Sequence, residues 1–202
     1  MTGTIPSQAA SAAVDLRLRL ATGAHAAYRL QSGAAVTAAR SLRSAPEHHL
    51  VRRSDSAVRV MTDFAASPAF TINADCSIDD ALDEMFRRGV RALVVLDDDS
   101  VVVGLVTSYD IQGERTQRCL AGHPTRRRED VRVSEILTPS GQWSAIDWHR
   151  LQSVRIADVL EIFRGTDSPY LIVLEARNET AAGLLRGIIS RARLERQLGE
   201  AP

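Results

Sequence analysis

Gly104-Leu105-Val106-Thr107-Ser108-Tyr109-Asp110 is the stretch at which the chain changes period. The glycine and two apolar residues continue the run Val101-Val102-Val103, which has strand length, and Thr107 followed three positions later by Asp110 has the spacing of a helix start. An apolar strand that delivers a threonine to a helix leaves several backbone N–H groups without intrahelical partners. The helix dipole makes that end favourable for a phosphate.

Working upstream, Asp97-Asp98-Asp99-Ser100 separates this strand from Ala92-Leu93-Val94-Val95-Leu96, and two apolar runs around a polar turn predict a buried hairpin. Before it, Ser77 has the spacing of an N-cap relative to Asp80. Ile78, Ala81, Leu82, Met85 and Phe86 then recur at helical intervals until Gly89 closes the helix. A short strand at Ala69–Ile72 precedes Ser77. The predicted order is strand, helix, strand, strand, helix.

The same order returns downstream. Arg59-Val60 with Asp63-Phe64 is echoed by Arg132-Val133 with Glu135-Ile136-Leu137. Ile156, Val159, Leu160 and Phe163 give a second amphipathic helix, ended by Arg164-Gly165 as Arg88-Gly89 ends the first. Tyr170-Leu171-Ile172-Val173-Leu174 and Leu184-Leu185-Arg186-Gly187-Ile188-Ile189 give a second hairpin, and Ser190 caps a terminal helix. Two copies are too few for a solenoid, so the repeat predicts a paired α+β module with pseudo-two-fold symmetry. Its boundaries fall at 57–115 and 131–199, with a polar linker at 116–130 that carries Arg126-Arg127-Arg128. Those arginines are either a solvated run or contacts for a ligand phosphate.

Gly104–Asp110 resembles the strand-to-helix signature of CBS (cystathionine β-synthase-like) domains: a glycine, apolar residues, a Thr or Ser, two variable positions and an Asp. The resemblance to a CBS pair extends over about Ala57–Gly199, is weaker in the second copy, and is to bacterial stand-alone CBS-domain proteins. It implies a regulatory module without catalysis that requires no cofactor and binds AMP, ADP, ATP or another adenosine derivative between its paired domains. It also implies a homodimer and an unidentified protein target.

The same resemblance assigns the ribose to Asp110 and places Thr107 near phosphate. Chemistry supports both roles, because the two carboxylate oxygens of Asp110 are able to accept both ribose hydroxyls and charge-assisted hydrogen bonds contribute about 1.5–3 kcal/mol each. A capping box explains the same two residues with no ligand at all. The adenine slot falls by resemblance along Ala69, Thr71, Ile72 and Ala92. In the second copy, Ser190-Arg191-Ala192-Arg193 places Arg193 where the acid would stand, and arginine has no acceptor for a sugar hydroxyl. That half-site is either empty or turned toward anions through Ser190, Arg191 and Arg193. The plain alternative makes both arginines the solvated side of the last helix. A ligand-free interaction scaffold is the competing function.

The bulk numbers narrow the classes. The 25 basic residues, all arginine, balance 25 acidic ones, so no overall field attracts nucleic acid or an anionic membrane. Cys76 and Cys119 lie far apart without a partner motif, so neither a disulfide framework nor a metal cluster is expected. His48-His49 lacks an acidic or cysteine partner at ligand spacing. Trp143 and Trp148 read as core or interface anchors. No apolar run approaches the ~20 residues of a membrane span, and no secretory pattern opens the chain, so a cytoplasmic protein is expected. Residues 1–56, rich in Ala, Ser and Arg, read as a poorly ordered arm. Within it, Val14–Leu20 alternates either as a half-buried strand or by chance.

Overall fold

The computed structural model of the chain describes residues 50–122, 125–175 and 183–199. The expected arm up to residue 49, with its Val14–Leu20 alternation and His48-His49, lies outside the described residues.

In chain order the elements are β1 (Thr62–Asp63), β2 (Thr71–Asn73), α1 (Ile78–Arg88), β3 (Ala92–Leu96), β4 (Val102–Thr107), α2 (Ser108–Gln112), α3 (Glu114–Ala121), α4 (Val133–Ile136), β5 (Thr138–Pro139), β6 (Ala145–Asp147), α5 (Trp148–Leu151), α6 (Ile156–Arg164), β7 (Tyr170–Glu175), β8 (Leu184–Ser190) and α7 (Arg191–Leu198). They build two four-stranded sheets, ordered β2-β3-β4-β5 and β1-β8-β7-β6. In each sheet a parallel pair, β2 with β3 or β6 with β7, is followed by an antiparallel hairpin. The fold is therefore a tandem α+β pair, as the repeat predicts.

The caps that start the helices were readable in advance. Ser77 accepts from Asp80 N at 3.1 Å, and Gly89 ends α1 in the left-handed region at φ +66°, which glycine adopts without a Cβ penalty. The equation of Gly165 with Gly89 does not hold in detail, because Gly165 ends α6 at φ −89°. Ser100 closes the first hairpin's turn at φ +60°, and Asp97 Oδ1 accepts from Asp99 N at 3.1 Å and Val101 N at 2.8 Å.

Strands β3 and β7 are buried on both faces, which is why their sequences run apolar without alternation. Leu93 and Val95 face a core shared with Ile78, Ala81 and Met85 of α1, whereas Val94 joins a layer between the two sheets. Likewise Leu171 and Val173 meet α6, while Tyr170, Ile172 and Leu174 enter the inter-sheet layer. Trp143 packs against that layer and Trp148 against the second core, so both are anchors.

Two features differ from the sequence reading. The leading segments are exchanged: β1, which precedes the first repeat, pairs with β8 of the second, and β5, which precedes the second, pairs with β4 of the first. Asp63 lies opposite Gly187 as Pro139 lies opposite Gly104, so the true echo sets Thr62 against Thr138 and shifts the expected register of these segments. The stretch 116–130 is also not a plain linker. Helix α3 runs into it, Thr116 is buried and donates to the Asp110 carbonyl at 3.1 Å, and Cys119 and Leu120 pack on the first core.

Two arginines of the run in that stretch are tied down, while the Arg127 side chain is 80% exposed. Arg126 forks onto Glu135, and Arg128 donates to Asp79 at 2.9 Å and to the Ile111 carbonyl at 3.3 Å. Among the described residues no helix is long and apolar enough to cross a membrane.

Candidate nucleotide site

Strand β4 ends on Thr107 and α2 begins on the next residue, so the chain turns within one peptide unit. The Thr107 N–H donates to Asp110 Oδ2 at 2.9 Å and the Thr107 hydroxyl donates to the same oxygen at 2.7 Å. Asp110 N–H donates back to Thr107 Oγ1 at 3.2 Å, which completes a capping box. Thr107 is 5% exposed, so the box is fixed by its surroundings as well as by its own bonds.

This geometry changes what Asp110 is able to offer. Oδ2 already accepts two hydrogen bonds, so the expected use of both oxygens is reduced to Oδ1. Facing Oδ1 is Arg115, with Nε at 3.4 Å, while Arg115 Nη1 donates to the carbonyls of Ile136 and Leu137 at 2.9 Å each. The Asp110 side chain keeps 14% of its surface exposed. A carboxylate oxygen at a helix start, with one cation beside it, is an acceptor for one or two ligand hydroxyls.

The other expected residues divide into those brought to this corner and those placed elsewhere. Ala92 is paired in register with Thr107, and Ala92 and Ala69 both border the inter-sheet layer. Ala69 lies just before β2, which begins at Thr71 and not at Ala69. Thr71 is half-buried opposite Val94, and Ile72 packs into the first helical core, away from the inter-sheet layer.

In the second repeat, Ser190 caps α7 by accepting from Arg193 N at 3.4 Å. Arg193 Nη1 donates to Thr62 Oγ1 at 3.1 Å and so ties α7 to β1. The Arg191 guanidinium lies over the Phe163 ring at 5.1 Å and donates to the Phe163 and Thr166 carbonyls, at the C-terminal end of α6 where a cation is favoured. It lines an open depression of about 160 Å³ with Arg53, Leu160, Phe163, Arg164 and Glu195.

Three residues near Asp110 escaped the sequence reading besides Arg115. Burial pushes the Tyr170 phenol above its ordinary value, with Tyr109 and Asp110 acting in the same direction and Arg91 opposing them. Tyr170 thus belongs to the electrostatic surroundings of the first repeat's site although it comes from the second. Only Arg91 and Tyr109 carried a sequence signal, by adjoining the hairpin and the cap.

Comparison with known proteins finds a matching family model and solved structures of similar fold. A family model described as CBS domain matches residues 58–115. An uncharacterized conserved protein from Pyrococcus horikoshii has the same fold, with a TM-score of 0.50 at 20% identity over 72% of this chain and 93% of that one. A CBS-domain containing protein from Agrobacterium tumefaciens is 23% identical, with a TM-score of 0.47 over 66% of this chain and 88% of its own. A structure of CBSX2 in complex with AMP is 24% identical, with a TM-score of 0.46 over 70% and 93%. No curated protein matches the chain.

Proposed function

The chain is a CBS-domain protein, with residues 58–115 as the matched domain and a second unit of the same topology behind it, and on that premise we propose that it is a regulatory module that binds an adenosine nucleotide at Asp110 without catalysis. The observation that carries the reading is the Asp110 carboxylate. Thr107 fixes it at the start of α2 through Oδ2, which leaves Oδ1 as an oriented acceptor for the ribose. Ala69 and Ala92 supply an apolar border for the base. With Arg193 at the matching position of the second repeat, one ligand per chain is the expected stoichiometry.

Calorimetry with AMP, ADP, ATP, S-adenosylmethionine and cyclic dinucleotides tests this directly. Asp110→Asn is the informative variant: its carbonyl keeps the cap to Thr107 and its amide replaces Oδ1 with a donor. Expected is binding in the micromolar range for at least one adenosine compound, weakened at least tenfold in Asp110→Asn, about 1.4 kcal/mol. No binding below millimolar, or an unchanged affinity in the variant, refutes the reading.

A second reading, a ligand-free scaffold that assembles as a homodimer or on a target protein, is favoured by one observation: the capping box is complete without a ligand. Sedimentation of the full chain, with and without nucleotide, separates the two.

A further inference from the structure

Arg115 adds a polar link between two parts of the molecule that also share the first core, where Ile111 packs with Val133 and Ile136. Its Nε faces Asp110 Oδ1 at 3.4 Å, and its Nη1 donates to the carbonyls of Ile136 and Leu137 at 2.9 Å each. Those carbonyls close α4 and open β5, the segment that leaves the first sheet for the second repeat. Leu137 N–H donates to Val133 O at 3.0 Å, and Thr138 is in register with Leu105 on β4.

The guanidinium therefore bridges the free oxygen of the site's acid and the junction between repeats. Among the described residues the second repeat has no such bridge, and Arg193, in the acid's place, donates to Thr62.

We propose that Arg115 is a positioning residue through which occupancy of Asp110 is read by the α4–β5 junction. A ligand hydroxyl on Oδ1 competes with Arg115 Nε for the same acceptor. Without that anchor the guanidinium is held only by the two carbonyls, and a 3.4 Å ion pair is the weakest of its three contacts. Occupying Oδ1 releases Arg115 on one side and loosens the junction on the other. The inference rests on the nucleotide reading for its physiological trigger but not for its mechanism, since the coupling exists wherever Oδ1 loses its charge.

The test is hydrogen exchange over residues 133–139 in the full chain, with AMP as the probe and calorimetry on the same samples. Asp110→Asn, with no ligand, is expected to raise exchange in this segment by at least about threefold, because it removes the carboxylate that holds Arg115. AMP is expected to raise it in the same direction in the wild type. In Arg115→Leu, AMP is expected to bind no more weakly than to the wild type and to leave exchange over 133–139 unchanged. Arg115→Lys, which keeps the charge but has one nitrogen in place of the separate Nε and Nη1 that serve Asp110 and the carbonyls, is expected to match Arg115→Leu in exchange.

If Asp110→Asn leaves the segment unchanged, the coupling does not exist, whether or not AMP binds. If AMP binds more weakly to Arg115→Leu, Arg115 is a ligand contact and the competition is overturned while the nucleotide reading stands. If AMP does not bind but Asp110→Asn acts as expected, the nucleotide reading fails and the link survives.

Discussion

Gly104 and Gly187 hold the same place in the two repeats, and each lets the exchanged strand of the other repeat approach its backbone. A Cβ on Gly104 would stand 2.6 Å from the Thr138 carbonyl oxygen and 2.7 Å from Leu137 Cδ1; one on Gly187 would stand 2.3 Å from the Thr62 carbonyl oxygen. The glycine of the strand-to-helix signature is thus explained by packing, since the exchanged strands β1 and β5 fit only against a residue without a side chain.

Gly187→Ala is accordingly expected to destabilise the fold by about 1–3 kcal/mol, the range of an overpacked core. Gly104→Ala belongs in the same range with the smaller effect, because its worst backbone contact is 0.3 Å longer. Urea denaturation of the two variants checks both the size and the order. A neutral Gly187→Ala would mean that β1 does not lie where it is described.

The same exchanged strand gives the protein a pH-sensitive clamp. Arg186 forks onto Asp63 at 2.9 and 3.0 Å, reaches Glu175 at 3.0 Å, and lies over the Trp148 ring at 4.4 Å. The Arg186 hydrogen bonds hold the Asp63 carboxyl below its ordinary value of 3.8, against an opposing effect of burial. A depressed carboxyl contributes stability that is present above the unfolded value and is lost as pH falls through the folded one. Unfolding midpoints of the wild type are therefore expected to fall between pH 5 and pH 3 more steeply than those of Asp63→Asn. Parallel curves would remove the clamp from the account of acid stability.

How much of this was legible follows from the range of each interaction. Ser77, Thr107 and Ser190 were readable as caps because each bonds to a residue three positions away. Strands β3 and β7 were readable because burial on both faces demands unbroken apolar runs. The exchange of β1 and β5 was not readable: each is two residues long, too short for a period, and its partner is more than 30 residues distant. Arg186 and Asp63 are 123 positions apart, and nothing local marks either. Helix α3 was hidden by the polar face it shows to solvent, so that Thr116, Cys119 and Leu120 looked like linker. At the candidate site, the capping box of Thr107 and Asp110 was legible, whereas Arg115 was not, because its partners are carbonyls 21 and 22 positions away.

The arginine run at 126–128 makes a third point testable. Arg126 is 21% exposed and forks onto Glu135, which also accepts from Arg132 N at 2.8 Å. A cation engaged in this way is not available to phosphates without breaking its own pair. Titration of the chain with duplex DNA at 50 and 200 mM salt is therefore expected to show no strongly salt-dependent binding, where a site with several phosphate contacts loses orders of magnitude over that interval. A steep slope would return this run to the list of ligand contacts.

Tyr170 carries the last prediction, because it marks the asymmetry between the repeats. Tyr170 faces Ser190 in register as Ala92 faces Thr107, so the two strands present a large and a small residue at equivalent positions. The Tyr170 ring is 8% exposed and belongs to the inter-sheet layer that Ala92 only borders. Tyr170 is buried in that layer, and its phenol feels Tyr109, Arg91 and Asp110 of the first repeat. Tyr170→Ala is expected to cost about 3–5 kcal/mol, as for other buried aromatics reduced to alanine, and Tyr170→Phe about 1 kcal/mol or less. In calorimetry with AMP the wild type and Tyr170→Phe are both expected to take one nucleotide per chain, since the second cap lacks an acid with or without the hydroxyl. Two nucleotides bound to the wild type would show that the second half-site is open despite Arg193.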